Sequence, residues 1–161
     1  MTLIEVIVAI AVFATACLAA AHLVVWGMRT VQTAGTSTVA VAAAAAKVEE
    51  LHSLVWRFDE AGARISDPGL AVSPADALQR NVAGFADYLD QEGQPLSGGV
   101  DRPPGAAYVR RWALRPLAAA PDDTLVVQVL VAPLTEVASP NARAATGGPA
   151  AMLTTARGRT R

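Results

Sequence analysis

Between Val6 and Met28 the chain runs for 23 residues without a formally charged side chain, and Glu5 stands directly before that run. Glu5 is also the only carboxylate ahead of Glu49. At about 1.5 Å per residue, a helix of that length crosses a bilayer hydrocarbon core of about 30 Å. The run is apolar on every side, the pattern of a helix surrounded by lipid or by other helices. Ile4, Val6, Ile7, Val8, Ile10 and Val12 are β-branched, which weakens a helix slightly in water. In lipid a helix is nearly forced, because every backbone polar group must be satisfied internally. A charged group at membrane depth costs about 2.5–3.5 kcal/mol, so Glu5 needs a partner that offsets that cost.

Two other readings of the apolar run fit less well. A secretory signal peptide has a basic stretch before a shorter apolar core. Here only Met1 and Thr2 precede Leu3, and the first basic residue is Arg29. A lipoprotein signal centred on Cys17 lacks the same basic start, and FATAC carries no leucine three residues before the cysteine. Arg29 alone is a poor orientation signal under the positive-inside rule. Either the orientation is unusual or a basic leader precedes this sequence.

The opening MTLIEVIVAIAVFATA resembles the N-terminus of mature type IV pilins and type II secretion pseudopilins. Their pattern is Phe or Met, Thr, Leu, Ile or Leu, Glu, then about twenty apolar residues, and Met1, Thr2, Leu3, Ile4 and Glu5 match it position for position. The resemblance implies that a prepilin peptidase removes a leader and that Met1 is then N-methylated. Numbering would then begin at the mature terminus, or at a start codon set too late. It also implies that Glu5, with Thr2, acts in subunit assembly, the carboxylate facing the N-terminal amine of a neighbouring subunit. Leu3, Ile4, Val6, Ile7, Val8 and Ile10 would belong to the membrane and filament helix. An unpaired buried carboxylate is costly and one paired with an ammonium is tolerable. The helix N-terminus also favours an anion. The competing reading of Glu5 is a side chain that snorkels to the headgroups. Major pilins commonly carry a proline near position 22 and a glycine near 14. Here those positions are His22 and Ala14, and the first proline is Pro68, which fits a minor pilin or pseudopilin better.

The implied partners are other pilin or pseudopilin subunits, the prepilin peptidase and methylase, an inner-membrane assembly platform and inner-membrane lipid. The implied location is the bacterial inner membrane, with the C-terminal domain periplasmic, and then a filament. A net charge of −1 gives no reason to expect nucleic acid, which needs a basic excess. One cysteine and two histidines leave no internal disulfide and little for a metal site. No Gly-x-Ser-x-Gly, His-Glu-x-x-His or phosphate-binding glycine loop is present. We expect a structural subunit, not an enzyme, with no cofactor.

The expected fold is α+β and pilin-like: a long N-terminal helix packed on an antiparallel sheet of three to four strands. Residues 1–28 form its membrane or filament half, 29–58 its amphipathic half, and 59–161 the loop region, sheet and tail. Val41, Ala45, Val48, Leu51, Val55 and Phe58 recur at i+3 and i+4 spacing and predict the apolar stripe, with Lys47, Glu49 and Glu50 on a solvated face. Ser73 and Pro74 suggest an N-cap and first turn over SPADALQR. A hairpin is expected over 83–89 and 94–97, turning at DQEG, where an ordinary turn is preferred to a calcium loop. AAYVRRWALRPL alternates as a strand, and DTLVVQVLVAPL, apolar on both faces, reads as an internal one joined to it through AAAPDD. AAMLTTARGR is a possible last strand. Arg110, Arg111 and Arg115 around Trp112 suggest either a single-stranded nucleic-acid platform, as on a DNA-binding pilus tip, or solvated arginines beside a packed aromatic; the second is preferred. A single-pass anchor carrying a periplasmic binding domain is the other alternative.

Overall fold

The structure is a computed structural model that describes residues 2–134 and 151–160. The class is α+β. Helix α1 (Leu3–Ser53) is followed by β1 (Trp56–Phe58), β2 (Arg64–Ser66), a 3-10 turn at Pro68–Leu70, β3 (Ala86–Leu89), β4 (Pro95–Gly98), β5 (Tyr108–Leu117), β6 (Ala120–Pro133) and β7 (Ala151–Gly158). The chain divides into two units, Met1–Gly35 and Thr36–Arg161. The first consists of the apolar part of α1. The second holds the rest of α1 and all the strands.

In the second unit, β3 to β7 form a five-stranded antiparallel sheet in the order β4-β3-β5-β6-β7, and β1 and β2 pair separately. The sheet exceeds the expected three to four strands because β7, over the stretch read as a possible last strand, forms in full and pairs with β6 along its whole length. The expected DQEG hairpin supplies β3 and β4. Asp90 organises that turn by accepting from the backbone N–H groups of Glu92 and Gln94 at 3.0 and 2.8 Å. Gly93 adopts φ +82°, and a Cβ there would lie 3.0 Å from Val39 Cγ1, so only glycine suits the position. The link between β5 and β6 is shorter than AAAPDD suggested: Ala120 and the three residues after it already belong to β6.

Alternation along β5 and β6 places Tyr108, Arg110, Trp112, Leu114, Leu125, Val127, Val129 and Val131 on the face that packs against the helix. The helix meets them with Ala40, Ala43, Ala44, Lys47 and Leu51, all buried, and with half-buried Val48. The stripe predicted from periodicity is met at Leu51 and in part at Val48, but Val41 is 48% exposed, and Ala45 and Val55 are also exposed. In so alanine-rich a segment several phases are equally apolar. The sheet selects the one with small side chains, because these let its bulky residues approach the helix backbone. Lys47 is therefore not on a solvated face. Its stem lies in the interface, its Nζ sits 4.1 Å from the centroid of the Trp112 ring, and it donates to Glu50 Oε1 at 2.7 Å.

Two arginines of the sheet reach the helix backbone. Arg110 makes a bidentate pair with Asp87, at 3.0 Å from Nε and 2.6 Å from Nη2, and donates through Nη1 to the Ala43 carbonyl at 2.9 Å. Arg157 donates to the Leu51 carbonyl at 2.6 Å and to the Leu54 carbonyl. It thus satisfies acceptors that the end of a helix leaves open, where a cation also complements the dipole. Burial pushes the Arg157 pKa down from its ordinary value. The helix stops at Ser53 and not near Phe58 because Trp56, Arg57 and Phe58 pair with Ser66, Ile65 and Arg64. Strand pairing overrides helix propensity there. SPADALQR forms turns without a regular helix. Ser73 is engaged elsewhere, exchanging hydrogen bonds with the Leu114 backbone (Ser73 N to Leu114 O 3.0 Å, Leu114 N to Ser73 Oγ 3.1 Å).

Removing one partner of the buried Asp87–Arg110 pair strands a charge. Asp87→Ala is expected to lower unfolding free energy by about 3–5 kcal/mol. The double replacement Asp87→Leu with Arg110→Met is expected to recover most of it. Urea denaturation of the two variants checks both.

Candidate functional site

The residues singled out by the opening motif lie in the first unit. Met1 lies outside the described residues. Thr2 precedes the helix as its N-cap: its carbonyl accepts from the backbone N–H of Glu5 at 3.1 Å and of Val6 at 3.4 Å. Glu5 Oε2 accepts in turn from the Thr2 backbone N–H at 3.4 Å. Thr-x-x-Glu at this spacing is the signature of a capping box, in which a glutamate in the first turn reaches back to the N-cap. The same two residues that the pilin resemblance singles out thus begin the helix. The Thr2-Leu3-Ile4-Glu5 spacing is the sequence signal for this box.

Leu3, Ile4, Val6, Ile7, Val8 and Ile10 are all exposed, from 46% at Val6 to 80% at Leu3. The span Leu3–Met28 is long and apolar enough to cross a membrane, and none of it is buried within the chain. At 1.5 Å per residue its 26 residues cover roughly 39 Å. Exposed apolar surface on this scale marks a membrane or protein contact. The span's polar side chains are accommodated locally: Thr15 Oγ1 donates to the Val12 carbonyl at 2.8 Å. His22 and Cys17 are exposed on the helix.

The arginines around Trp112 are not arranged as a stacking platform. Trp112 is 7% exposed, covered by Lys47 and tilted against Phe85 at 6.5 Å. Arg110 and Arg111 do lie on opposite faces, as alternation required, but both are buried, against the expectation of solvated side chains. Arg111 Nε donates to Asn81 Oδ1 at 2.7 Å, Asn81 Nδ2 donates to the Tyr88 hydroxyl at 2.7 Å, and that hydroxyl donates to the Val100 carbonyl at 2.8 Å. Neutral acceptors thus let the sheet bury Arg111, and the Asp87 carboxylate lets it bury Arg110. Exposed Arg115 donates to the Ala75 carbonyl at 2.7 Å. Beside β4 an open cleft of about 490 Å³ is lined by Lys47, Asp87, Leu96, Gly98, Gly99 and Trp112. Its charged members already hold partners: Lys47 with Glu50, and Asp87 with Arg110. Among the described residues no cluster of three or more His, Cys, Asp or Glu side chains is placed to hold a metal ion.

Comparison with family models, curated proteins and solved structures gives no match to this chain. The functional reading therefore rests on its own residues.

Burial pushes the Tyr88 pKa above its ordinary value, against the lowering effect of Arg111 and the Asn81 hydrogen bond. Burial also raises that of Tyr108. A raised folded-state pKa means that the unfolded chain releases the proton first. Stability is then complete below the unfolded value of about 10 and falls as pH rises through the folded values. Thermal unfolding between pH 8 and 12 should show this loss, and Tyr88→Phe should remove Tyr88's share of the slope while leaving that of Tyr108.

Proposed function

We propose that this protein is a structural subunit of a type IV pilus-like or type II secretion filament, a minor pilin or pseudopilin that works by assembly. The observation that carries the reading is the apolar span Leu3–Met28, uncovered on every side within the chain, with one carboxylate in its first turn. Such a helix needs a coat. Lipid supplies it while the protein waits in the membrane, and like helices of neighbouring subunits supply it in a filament. The second unit, in which the end of α1 packs on an antiparallel sheet, fits the pilin layout.

In this reading Met1 is the processed, N-methylated residue, and its amine is the charge that Glu5 of a neighbour meets. An ammonium offsets a desolvated carboxylate better than a backbone N–H does, because the pair is both charged and hydrogen-bonded. The pair therefore sets register between subunits more than it adds stability. Thr2 keeps the first turn closed and so fixes where the Glu5 carboxylate points. The prepilin peptidase and an inner-membrane assembly platform are the enzymes and machinery this mechanism needs.

Intact-mass analysis of the N-terminus from native membranes should find N-methylated Met1. Glu5→Ala should insert into the membrane as the wild type does yet be depleted from purified filaments. Normal incorporation of Glu5→Ala would sink the Glu5–amine contact, and absence of the wild-type chain from purified filaments would sink the filament reading and leave a membrane-anchored domain.

A further inference from the structure

The apolar span is longer than the layer it would cross. Leu3–Met28 covers roughly 39 Å, against a hydrocarbon core of about 30 Å. Apolarity alone therefore leaves its depth in a bilayer open by more than one helical turn. The polar groups at its two ends remove that freedom. At the N-terminal end the group is the Glu5 carboxylate. Every Cα–Cβ bond of a helix tilts toward the N-terminus, and this side chain follows that direction. Its Oε2 comes within 3.4 Å of the Thr2 backbone nitrogen. The charge thus stands at the level of Thr2, outside the first apolar residue, Leu3. A side chain that leans outward in this way can keep its charge among headgroups while its stem lies along apolar surface.

At the other end the group is the Trp26 indole. The chain has three tryptophans. Trp56 and Trp112 are each 7% exposed within the second unit, whereas Trp26 is 71% exposed on the span. Indole joins a large apolar body to one N–H donor and is enriched where hydrocarbon meets headgroups. A long helical side chain also leans back over the preceding turn, so the body of this ring falls on the hydrocarbon side. Thr2 and Trp26 stand 24 positions apart, roughly 36 Å along a helix. That is more than the hydrocarbon core of about 30 Å and less than the about 40–45 Å that includes both headgroup layers. One placement therefore sets both groups among headgroups at once. A slide of a single turn, about 5.4 Å, draws one of them into hydrocarbon. Between them, from Val6 to Trp26, no formally charged side chain intervenes.

We propose that the span is seated between two lipid headgroup layers, with the Glu5 carboxylate in one and the Trp26 indole in the other. The partner of both is the lipid surface. Water and headgroup ammonium groups solvate the carboxylate, and phosphate or ester oxygens accept from the indole N–H. Glu5 is then not desolvated while the chain stays in lipid. The cost of burying its charge arises only when the helix leaves for a bundle of like helices, and there the neighbour's amine becomes its partner. The seating rests on the membrane stage of the reading above and not on its filament stage, so absence of the chain from filaments leaves it intact.

The test uses the full-length chain in vesicles of phosphatidylethanolamine and phosphatidylglycerol. Fluorescence quenching by phospholipids brominated at different depths reads the level of Trp26. Its signal is the difference between the wild type and Trp26→Phe, since Trp56 and Trp112 are common to both. Bromine near the headgroups should quench that signal several-fold more than bromine near the chain ends. The other end is read by a water-soluble maleimide added to opened vesicles, with Cys17, the only cysteine, changed to Ser. Leu3→Cys, which leaves Thr2 and Glu5 in place, should label several-fold faster than Phe13→Cys, roughly 15 Å deeper along the helix. Release of the wild-type chain by a carbonate wash would overturn the membrane reading and the seating together. Retention in the vesicles with Trp26 quenched most by bromine at the chain ends, or with Leu3→Cys as shielded as Phe13→Cys, would overturn the seating alone.

Discussion

Arg110 joins the helix to the sheet through a contact that only small side chains permit. A guanidinium can reach the carbonyl of Ala43, in the body of α1, because Ala40, Ala43 and Ala44 leave the helix backbone uncovered on that face. The carbonyl already serves the helix, and its second lone pair is what the arginine uses. Asp87 holds the guanidinium flat from the neighbouring strand. Apolar contact alone would let an alanine surface slide over Val127, Val129 and Val131 at little cost. A directional bond to one carbonyl selects one register. Arg157 adds a second fixed point at the helix C-terminus, so the helix is held at Ala43 and at Leu51 by arginines 67 and 106 residues further along the chain.

The small sheet depends on the same end of the chain. Arg159 lies with its guanidinium 3.5 Å from the Trp56 ring centroid and 5.5 Å from that of Phe58, and donates to the Ile65 carbonyl at 2.9 Å. Cation–π stacking and these carbonyl contacts bind β1 and β2 to the residues that follow β7. The end of the AAMLTTARGR stretch is therefore structural beyond its role as a strand. Its arginines serve as helix cap and as clamp.

The parts of the fold legible in the sequence were those with one solution. The apolar span, the alternation of β5, the doubly apolar β6 and the DQEG turn each had a pattern that excludes alternatives. The phase of the second half of α1 was not legible, because alanine at nearly every position makes periodicity degenerate; the sheet breaks the tie. Burial of Arg110, Arg111 and Lys47 was hidden for a different reason. Whether a cation is solvated depends on partners distant in sequence: Asp87 for Arg110, Asn81 for Arg111, the Trp112 face for Lys47. At the start of α1 the Thr2–Glu5 spacing carried two signals at once, a helix start and a charge beside an apolar span, and the structure shows the first.

Those two signals are compatible, and their combination explains why a glutamate serves at this position. The bond from Thr2 N–H to Glu5 Oε2 is long, at 3.4 Å, and lies on an exposed helix end. It engages one carboxylate oxygen with a neutral donor, so the side chain is oriented but not neutralised. Its charge stays favourable beside the helix N-terminus and remains available to a cation. An aspartate at the same position is one methylene shorter and reaches back less well to the N-cap. A glutamine would keep the reach and lose the charge. In the proposed assembly the capping box therefore holds the carboxylate near the start of the helix, the level at which a neighbouring subunit would present its amine. Helix initiation and subunit recognition then draw on the same side chain, and no second charged residue has to enter the apolar span.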